Sequence, residues 1–227
     1  MKIFADTSVL EEIRAWHQIP LIVGFTTNPT LMRKAGITDY ERFCKEVLSV
    51  TDKPVSFEVF ADDKESIERQ ARLISSWGKN VYVKIPITDT RGNSSVGIIK
   101  DLEQEIKLNI TAVFSTGQVL TVSKVLHKKI PTIISIFAGR IADTGRDPIP
   151  FIRRAKTLVI EKAEILWASP REVLNIYQAE EAGADIITCT SDLIEKYIKI
   201  NNKDLLDFSL ETVRMFYDDA KAAGFQL

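Results

Sequence analysis

The chain has 227 residues, of which 45% are hydrophobic, and its 30 basic residues almost balance its 31 acidic ones. This length and apolar content allow one sizeable core and fit a single α/β barrel or one to two smaller domains. Because the charges balance and no long run of like charge occurs, the composition argues against binding to nucleic acid or to a membrane surface.

The start of the chain carries an acid at Asp6 and lacks an apolar segment of signal-peptide length. No stretch approaches the ~18 apolar residues that a membrane span needs. Cys44 and Cys189 lie far apart in the sequence, and we interpret both as small core residues rather than as a disulfide. Together these features predict a cytoplasmic protein.

Eight short runs rich in Val, Ile, Phe and Thr follow one another along the chain. Each run is nearly continuously apolar, which is typical of strands that are buried on both faces. The predicted strands are 2–6, 22–28, 55–60, 81–86, 109–115, 132–137, 164–169 and 184–189.

Segments with helical spacing separate these runs. Apolar residues form one stripe in 39–50 and another in 64–77, and a long helix is predicted near 207–222. Gly24 and Gly183 are expected at helix-to-strand turns that precede the second and the eighth strand.

Alternation of strands and helices requires parallel pairing, because each connection must cross a face of the sheet. The pattern therefore predicts a closed (β/α)8 TIM barrel with a C-terminal helix, in a single domain over 1–227. An open, doubly wound sheet is less consistent with the sequence, since no strand is followed by a glycine-rich phosphate loop.

Polar residues cluster where the predicted strands end, and in such barrels the chemistry lies at the carboxyl ends of the strands. A barrel interior filled by branched apolar side chains would not need them. These residues are Asp6, Thr26, Thr27, Asn28, Glu58, Lys84, Asn109, Thr111, Ser135 and Ser169.

Lys84 lies within a predicted core strand, a position that it shares only with Lys2 at the chain start. A lone lysine of this kind often extends to solvent. Between Val83 and Ile85, however, its amine would be partly desolvated, which favours the neutral form and makes it a nucleophile. This is the chemistry of a Schiff-base lysine.

Asp6, Glu58 and Asn28 each have a structural alternative to a functional role. Asp6 could cap a helix that starts near Ser8, and Asn28 before Pro29 could be a turn residue. Glu58 is harder to explain in this way, because a carboxylate in a central strand must pair with a cation or have a function.

Arg140 and Arg171 follow predicted strand ends, so they are either surface charges or phosphate ligands. Neither His17 nor His127 lies at a predicted strand end. That placement argues against a zinc-dependent aldolase and against a Ser-His-acid hydrolase.

Several segments resemble the transaldolase family in its short bacterial form, and they occur in the family's order: FADT (4–7), GFTTNPTLM (24–32), VKIP (83–86), NITAVFS (109–115) and SIFAGRI (135–141). The resemblance implies an enzyme of the pentose phosphate pathway that moves a dihydroxyacetone unit between sugar phosphates. A lysine Schiff base carries the reaction, without metal or other cofactor.

Within this resemblance Lys84 corresponds to the Schiff-base lysine and Asp6 to the acid–base residue that handles the C4 hydroxyl proton. Glu58 and Thr111, with an ordered water, correspond to the relay that dehydrates the carbinolamine. Asn28 and Asn109 correspond to residues that hold the dihydroxyacetone hydroxyls.

The resemblance also implies a wider set of substrate-binding residues. Ser135 and Arg140 match the family's phosphate-binding SxxxxR pattern, and Phe137 lies between them. The full predicted set is Thr27, Asn28, Asn109, Ser135, Phe137, Arg140, Ser169 and Arg171.

Two positions bear on the type of reaction. The related fructose-6-phosphate aldolases usually have glutamine in place of Glu58 and tyrosine in place of Phe137, so both positions favour group transfer. The alternative is an aldolase that releases dihydroxyacetone. A non-catalytic sugar-phosphate binder would not need Lys84, Asp6 and Glu58 together.

The loops 87–97 and 167–175 depart from the family pattern. Arg171 therefore aligns either with a phosphate-binding arginine or with the following helix, and Arg91 could reach substrate. These departures leave open an enzyme for an unusual sugar in polysaccharide precursor synthesis.

Short members of the family form rings of five or ten subunits through the C-terminal helix, which implies a homo-oligomer here. Phe208, Val213, Phe216 and Tyr217 could supply such contacts or could pack on the chain's own barrel.

Overall fold

The computed structural model describes residues 1–127, 129–160 and 162–226. Among them, eight parallel strands pair in chain order and close into a barrel, which confirms the predicted (β/α)8 architecture. The strands are β1 (Lys2–Asp6), β2 (Ile22–Thr26), β3 (Val55–Glu58), β4 (Val81–Pro86), β5 (Leu108–Val113), β6 (Thr132–Ile136), β7 (Ala163–Trp167) and β8 (Ile186–Cys189).

Helices connect consecutive strands, and a longer helix follows them. They are α1 (Leu10–His17), α2 (Pro29–Lys34), α3 (Tyr40–Val50), α4 (Lys64–Ser76), α5 (Val96–Leu102), α6 (Thr116–Ser123), α7 (Ala138–Asp143), α8 (Ile149–Leu158), α9 (Leu174–Glu181), α10 (Ser191–Ile200) and α11 (Leu205–Ala222).

The two glycines expected at turns have different roles. Gly183 has φ +82° and follows Ala182, the C-cap of α9, as the turn before β8 requires. Gly24, in contrast, lies inside β2, so its prediction as a turn residue was wrong. A Cβ at Gly24 would come within 2.5 Å of the Phe4 ring, and the glycine therefore makes room for this aromatic side chain.

The core consists of the strands together with the inward stripes of the helices. Phe25, Phe57 and Trp167 are among the largest fully buried side chains. Cys44 and Cys189 are both free and buried, which confirms that they are core residues. Burial raises the pKa of the Cys189 thiol to about 12, so this thiol stays protonated and unreactive at neutral pH.

The chain divides into two compact units, Met1–Ile194 and Glu195–Leu227. In the second unit the Asp204 side chain caps α11 by accepting from the backbone N–H groups of Leu206 and Asp207. No residue of α11 is buried, and its apolar side chains include Val213 and Phe216, exposed by 60% and 63%. No helix in the described part of the chain is both long and apolar enough to cross a membrane.

Candidate active site

The strand register brings three polar side chains side by side. Glu58 on β3 is the cross-strand partner of Lys84 on β4, and Lys84 is in turn the partner of Asn109 on β5. Because cross-strand partners lie on the same face of a sheet, these side chains meet inside the barrel near the carboxyl ends of the strands.

Lys84 is buried, with 7% of its surface exposed. Its Nζ lies 2.8 Å from Glu58 Oε2 and donates to the backbone carbonyl of Thr27 at 2.8 Å. Lys84 therefore does not extend to solvent, and Glu58 has the cation that a carboxylate within a strand requires.

Asp6 ends β1 beside this pair. Its Oδ1 accepts a hydrogen bond from Thr26 Oγ1 at 2.8 Å. Burial raises the pKa of Asp6 above its usual value, although nearby Lys84 and the hydrogen bonds from Thr26 and Asn28 act in the opposite direction. Asp6 is not a helix cap, since α1 begins at Leu10 with Val9 at its N-cap.

Asn28 is both a structural residue and a site residue. Its Oδ1 accepts from the Leu31 N–H at 3.0 Å and caps α2, with Pro29 in the first turn. Only the amide nitrogen carries hydrogens, so it is the group that donates to Asp6.

Asn109 is held between two serines. Its Nδ2 donates to Ser56 Oγ at 3.0 Å, and its Oδ1 accepts from Ser135 Oγ at 2.7 Å. Ser135 thus uses its single hydroxyl hydrogen on Asn109 and offers only lone pairs to a ligand.

The end of β5 departs from regular strand geometry. Its register with β6 shifts between Ile110 and Val113, and Ala112 has φ +57°. Thr111 Oγ1 is buried without a hydrogen-bond partner among the described residues. A buried hydroxyl of this kind normally binds a water or a ligand, and Thr111 faces a cavity that could hold either.

That cavity has a volume of about 540 Å³ and lies at the carboxyl ends of the strands. It gathers all but one of the predicted catalytic and substrate-binding residues: Asp6, Asn28, Glu58, Lys84, Asn109, Thr111, Ser135, Phe137, Arg140, Ser169 and Arg171.

Thr27 is the exception. It is fully buried and does not line the cavity, and its hydroxyl donates to the Ser56 carbonyl at 2.9 Å. Its contribution to the site is the backbone carbonyl that accepts from Lys84. The expectation of a direct substrate contact from the Thr27 side chain therefore does not fit this geometry.

Arginines line the cavity near β6 and β7. The Arg140 guanidinium lies 5.3 Å from the centre of the Phe137 ring, which in turn packs against Phe114 at 5.6 Å between ring centres. Within the described ranges no carboxylate pairs with Arg140. Its charge is therefore available to an anionic ligand.

Arg171 lies in the loop before α9, so the alternative that placed it in the following helix was wrong. Its guanidinium makes a two-pronged ion pair with Asp143, with Nε 3.2 Å from Oδ1. Arg91, by contrast, is exposed, hydrogen-bonds Asp89 and does not line the cavity.

The backbone places the two cavity arginines together. Gly139 in α7 packs so closely on the β7–α9 loop that a Cβ there would lie 1.5 Å from the Ser169 carbonyl oxygen. Ser169 itself has φ +59°. This close approach sets Arg140 and Arg171 beside one cavity.

Tyr40 of α3 supports the end of β3 from outside the cavity. Its hydroxyl donates to the Glu58 backbone carbonyl at 2.6 Å, and its ring packs edge-on against Phe60. Burial strongly raises the pKa of Tyr40.

The cavity also contains residues that the sequence did not indicate, Lys34 and Thr188 among them. Thr188 lies on β8, where the alternation of inward and outward side chains could have identified it as facing the barrel interior. Lys34, at the end of α2, gives no comparable signal in the sequence.

Comparison with known proteins agrees with this geometry. Residues 3–227 match the family profile described as Transaldolase/Fructose-6-phosphate aldolase. The chain is 37% identical over 199 residues to "Probable transaldolase 2" of Listeria monocytogenes, covering 86% of this chain and 88% of the relative. It is 32% identical over 230 residues to "Probable transaldolase" of Thermoanaerobacter sp., covering 100% of both chains.

These matches show that the chain belongs to the transaldolase/fructose-6-phosphate aldolase family. Among solved structures, the "L230A mutant flavocytochrome b2 with benzoylformate" aligns with a TM-score of 0.57 at 13% identity. That alignment covers 83% of this chain and 56% of the other. A likeness at this identity concerns the barrel fold alone.

Proposed function

We propose that the protein is a transaldolase that transfers a dihydroxyacetone unit from a ketose phosphate to an aldose phosphate through a Schiff base on Lys84. The observation that carries the proposal is the buried Lys84–Glu58 ion pair beside Asp6 in the cavity at the barrel mouth. A carbonyl-attacking amine needs a group to take its proton and a second group for the carbon–carbon step, and this arrangement supplies both.

The first step forms the imine. Glu58 takes a proton from the Lys84 ammonium across their 2.8 Å contact, which leaves a neutral amine to attack C2 of the ketose. The resulting carbinolamine loses its hydroxyl as water when protonated Glu58 returns the proton. Thr111, whose buried hydroxyl lacks a partner among the described residues, would hold the water that passes this proton.

The second step breaks the C3–C4 bond. Asp6 removes the proton from the C4 hydroxyl, C4 becomes a carbonyl, and the bonding electrons move into the cationic imine to give an enamine. The raised pKa of Asp6, caused by burial, makes its carboxylate a stronger base than an exposed aspartate.

The three-carbon unit would lie among amide and hydroxyl groups. Asn28 and Asn109 are suited to its hydroxyls, and the hydrogen bond from Ser135 to Asn109 fixes the Asn109 oxygen. Because the Ser135 hydrogen is used in this way, we place Ser135 with the three-carbon unit rather than with the phosphate, which carries no proton donor when ionised.

The phosphate of either sugar would bind between Arg140 and Arg171. Arg140 is unpaired with any described carboxylate, and Arg171 is oriented by Asp143. Ser169 of the β7–α9 loop lines the same cavity. Planar guanidinium groups suit phosphate oxygens, since they offer paired donors at a fixed spacing.

Group transfer is favoured over release of free dihydroxyacetone by the side chain of Phe137. Its ring lines the cavity between Arg140 and Phe114 and has no hydroxyl to direct a water at the enamine. The enamine should then wait for an aldehyde acceptor.

Borohydride trapping tests the proposal. Incubation with fructose 6-phosphate and borohydride should add the sugar-derived mass to the peptide that contains Lys84. With an aldose phosphate present, ketose product should form faster than free dihydroxyacetone does without acceptor. Absence of a trapped adduct overturns the mechanism, and dihydroxyacetone release as fast as transfer favours the aldolase alternative.

We also propose that the enzyme is a homo-oligomer whose contacts involve α11, because an exposed apolar helix face commonly marks a protein interface. Val213→Glu together with Phe216→Glu should reduce the mass measured by light scattering to that of one chain. An unchanged mass would exclude this face, and Glu211→Gln in the same helix serves as the control.

A further inference from the structure

Thr188 of β8 extends the hydrogen-bonding environment of Asp6. Thr26 Oγ1 donates to Asp6 Oδ1 at 2.8 Å, and the same Thr26 oxygen lies 2.6 Å from Thr188 Oγ1. All three side chains line the cavity, and both threonines are buried. The row of oxygens therefore runs from Asp6 through Thr26 to Thr188.

The number of hydrogens fixes the direction of this row. Each threonine hydroxyl has one hydrogen and can also accept. When Asp6 is ionised, Thr26 must donate to the carboxylate, so Thr188 must donate to Thr26. In such a chain each hydrogen bond polarises the next, so the hydrogen bond from Thr26 to the Asp6 carboxylate becomes stronger.

Protonated Asp6 permits the opposite direction. Asp6 can then donate to Thr26, Thr26 can donate to Thr188, and Thr188 can donate into the cavity. Only rotation of two hydroxyl groups about their C–O bonds is needed, and no covalent bond to carbon or oxygen breaks. The row can therefore stabilise Asp6 both before and after it accepts a proton.

A purely structural role for Thr188 predicts a different result. In that case its hydroxyl would only satisfy the buried Thr26 hydroxyl, and its loss would lower stability without favouring one chemical step over another. The partial burial of Asp6 argues for a role of Thr188 beyond stability, because a carboxylate removed from water depends on the few hydrogen-bond donors that reach it.

We propose that Thr188 is a positioning residue for carbon–carbon cleavage: through Thr26 it orients Asp6 and takes up the hydrogen bond of the protonated acid that results. The proposal rests on the proposed transaldolase function, in which Asp6 removes the C4 hydroxyl proton. Thr188 itself exchanges no proton with Asp6 directly.

Thr188→Val and Thr188→Ser test the proposal, since valine keeps the shape and serine keeps the hydroxyl. Thr188→Val should lower the cleavage rate about tenfold, because the protonated Asp6 that cleavage produces can no longer donate through Thr26 to Thr188, and the loss of one hydrogen bond has an effect of this order. The rate of borohydride-trapped imine formation should stay within about twofold of wild type, since it does not use Asp6, and Thr188→Ser should recover most of the cleavage rate.

The control is Thr132→Val, which makes the same change at a buried threonine at the other end of the barrel, in β6. The proposal is overturned if Thr188→Val cleaves at the wild-type rate or loses imine formation and cleavage equally. It is also overturned if Thr188→Ser does not recover the cleavage rate. If wild type itself forms no imine, the transaldolase function fails first and this role of Thr188 falls with it.

Discussion

Glu58 and Lys84 face each other across neighbouring strands, with 2.8 Å between carboxylate oxygen and amine nitrogen. Their side chains are 17% and 8% exposed, so the pair is formed largely out of water. Removing one residue of such a pair lowers the stability of the protein strongly, because the remaining charge stays buried and unpaired. Stability and chemistry therefore depend on the same two residues.

Lys84→Met should abolish turnover, a loss larger than the ~10⁴-fold that acid–base assistance alone supplies, because the covalent route disappears. It should also lower the free energy of unfolding by roughly 3–5 kcal/mol through the unpaired Glu58. Adding Glu58→Gln should restore much of the stability and none of the activity. Turnover assays and urea unfolding check both effects.

The control for this change is Lys2→Met, which alters another strand lysine, at the start of β1, where Lys2 pairs with Glu164. This variant should keep full turnover. Measurable transfer by Lys84→Met would rule out the covalent mechanism.

Asp6→Asn should separate the two halves of the reaction. Imine trapping should continue, whereas cleavage should fall by ~10² to 10⁴, the usual contribution of a general base. Single-turnover measurements with a ketose phosphate distinguish the two steps. Loss of imine formation in this variant would place Asp6 in the first step instead.

Asp6 also makes two predictions about pH, because burial raises its pKa above 3.8. Cleavage needs the carboxylate, so the acid limb of the rate profile should lie above pH 3.8. The folded state binds this proton more tightly than the unfolded state does. Stability should therefore fall as pH rises from the unfolded to the folded pKa, and the loss should be complete above it.

Asp6→Asn should accordingly increase the melting temperature at neutral pH. It should also reduce the change of stability with pH between the unfolded-state and folded-state pKa values of Asp6. Thermal unfolding across the window measures the effect. A variant that melts below wild type at neutral pH contradicts the predicted sign.

Gly139→Ala should destabilise the protein by about 1–3 kcal/mol, as overpacking does, because the added methyl would lie on the Ser169 carbonyl. The displaced loop should also raise KM for phosphorylated sugars. Gly97→Ala is the matched control: it too is the second residue of a helix, no atom lies within 4 Å of its added Cβ, and it should gain about 0.5–1 kcal/mol. Equal effects of the two changes would show that Gly139 is not a packing constraint.

Arg140→Gln and Arg171→Gln should each raise KM for sugar phosphates about tenfold or more, since a charge-assisted contact contributes roughly 1.5–3 kcal/mol. Neither change should affect turnover of an unphosphorylated ketose. Arg91→Gln, outside the cavity, should leave both substrates unaffected. Steady-state kinetics with paired substrates decide whether these arginines recognise phosphate.

Much of the fold could be predicted because buried parallel strands have a distinctive composition. The predicted β1 and β4 have the observed bounds, and the other strands differ by one or two residues at one or both ends. Gly24 was misplaced because a glycine in a strand and a glycine in a turn look alike in sequence. Only the ring of Phe4 resolves the difference, and that contact comes from a neighbouring strand.

Most residues of the site could be predicted from the sequence, but the contacts between them were harder to predict. Lys84 and Glu58 stood out because charges are rare in core strands. Thr27, adjacent to Thr26, could not be separated from the cavity residues, since its inward or outward direction depends on where β2 ends. The pairing of Arg171 with Asp143 joins the β7–α9 loop to the end of α7, and no local pattern encodes such a contact.

The hydrogen bond from Tyr40 to the Glu58 carbonyl has a consequence for work at alkaline pH. Because burial raises the pKa of this phenol strongly, it keeps its proton at a pH where an exposed tyrosine would lose it. The anchor that α3 provides for the end of β3 is thus insensitive to base. A decline of turnover in moderately alkaline buffer should therefore be sought first in a group other than Tyr40.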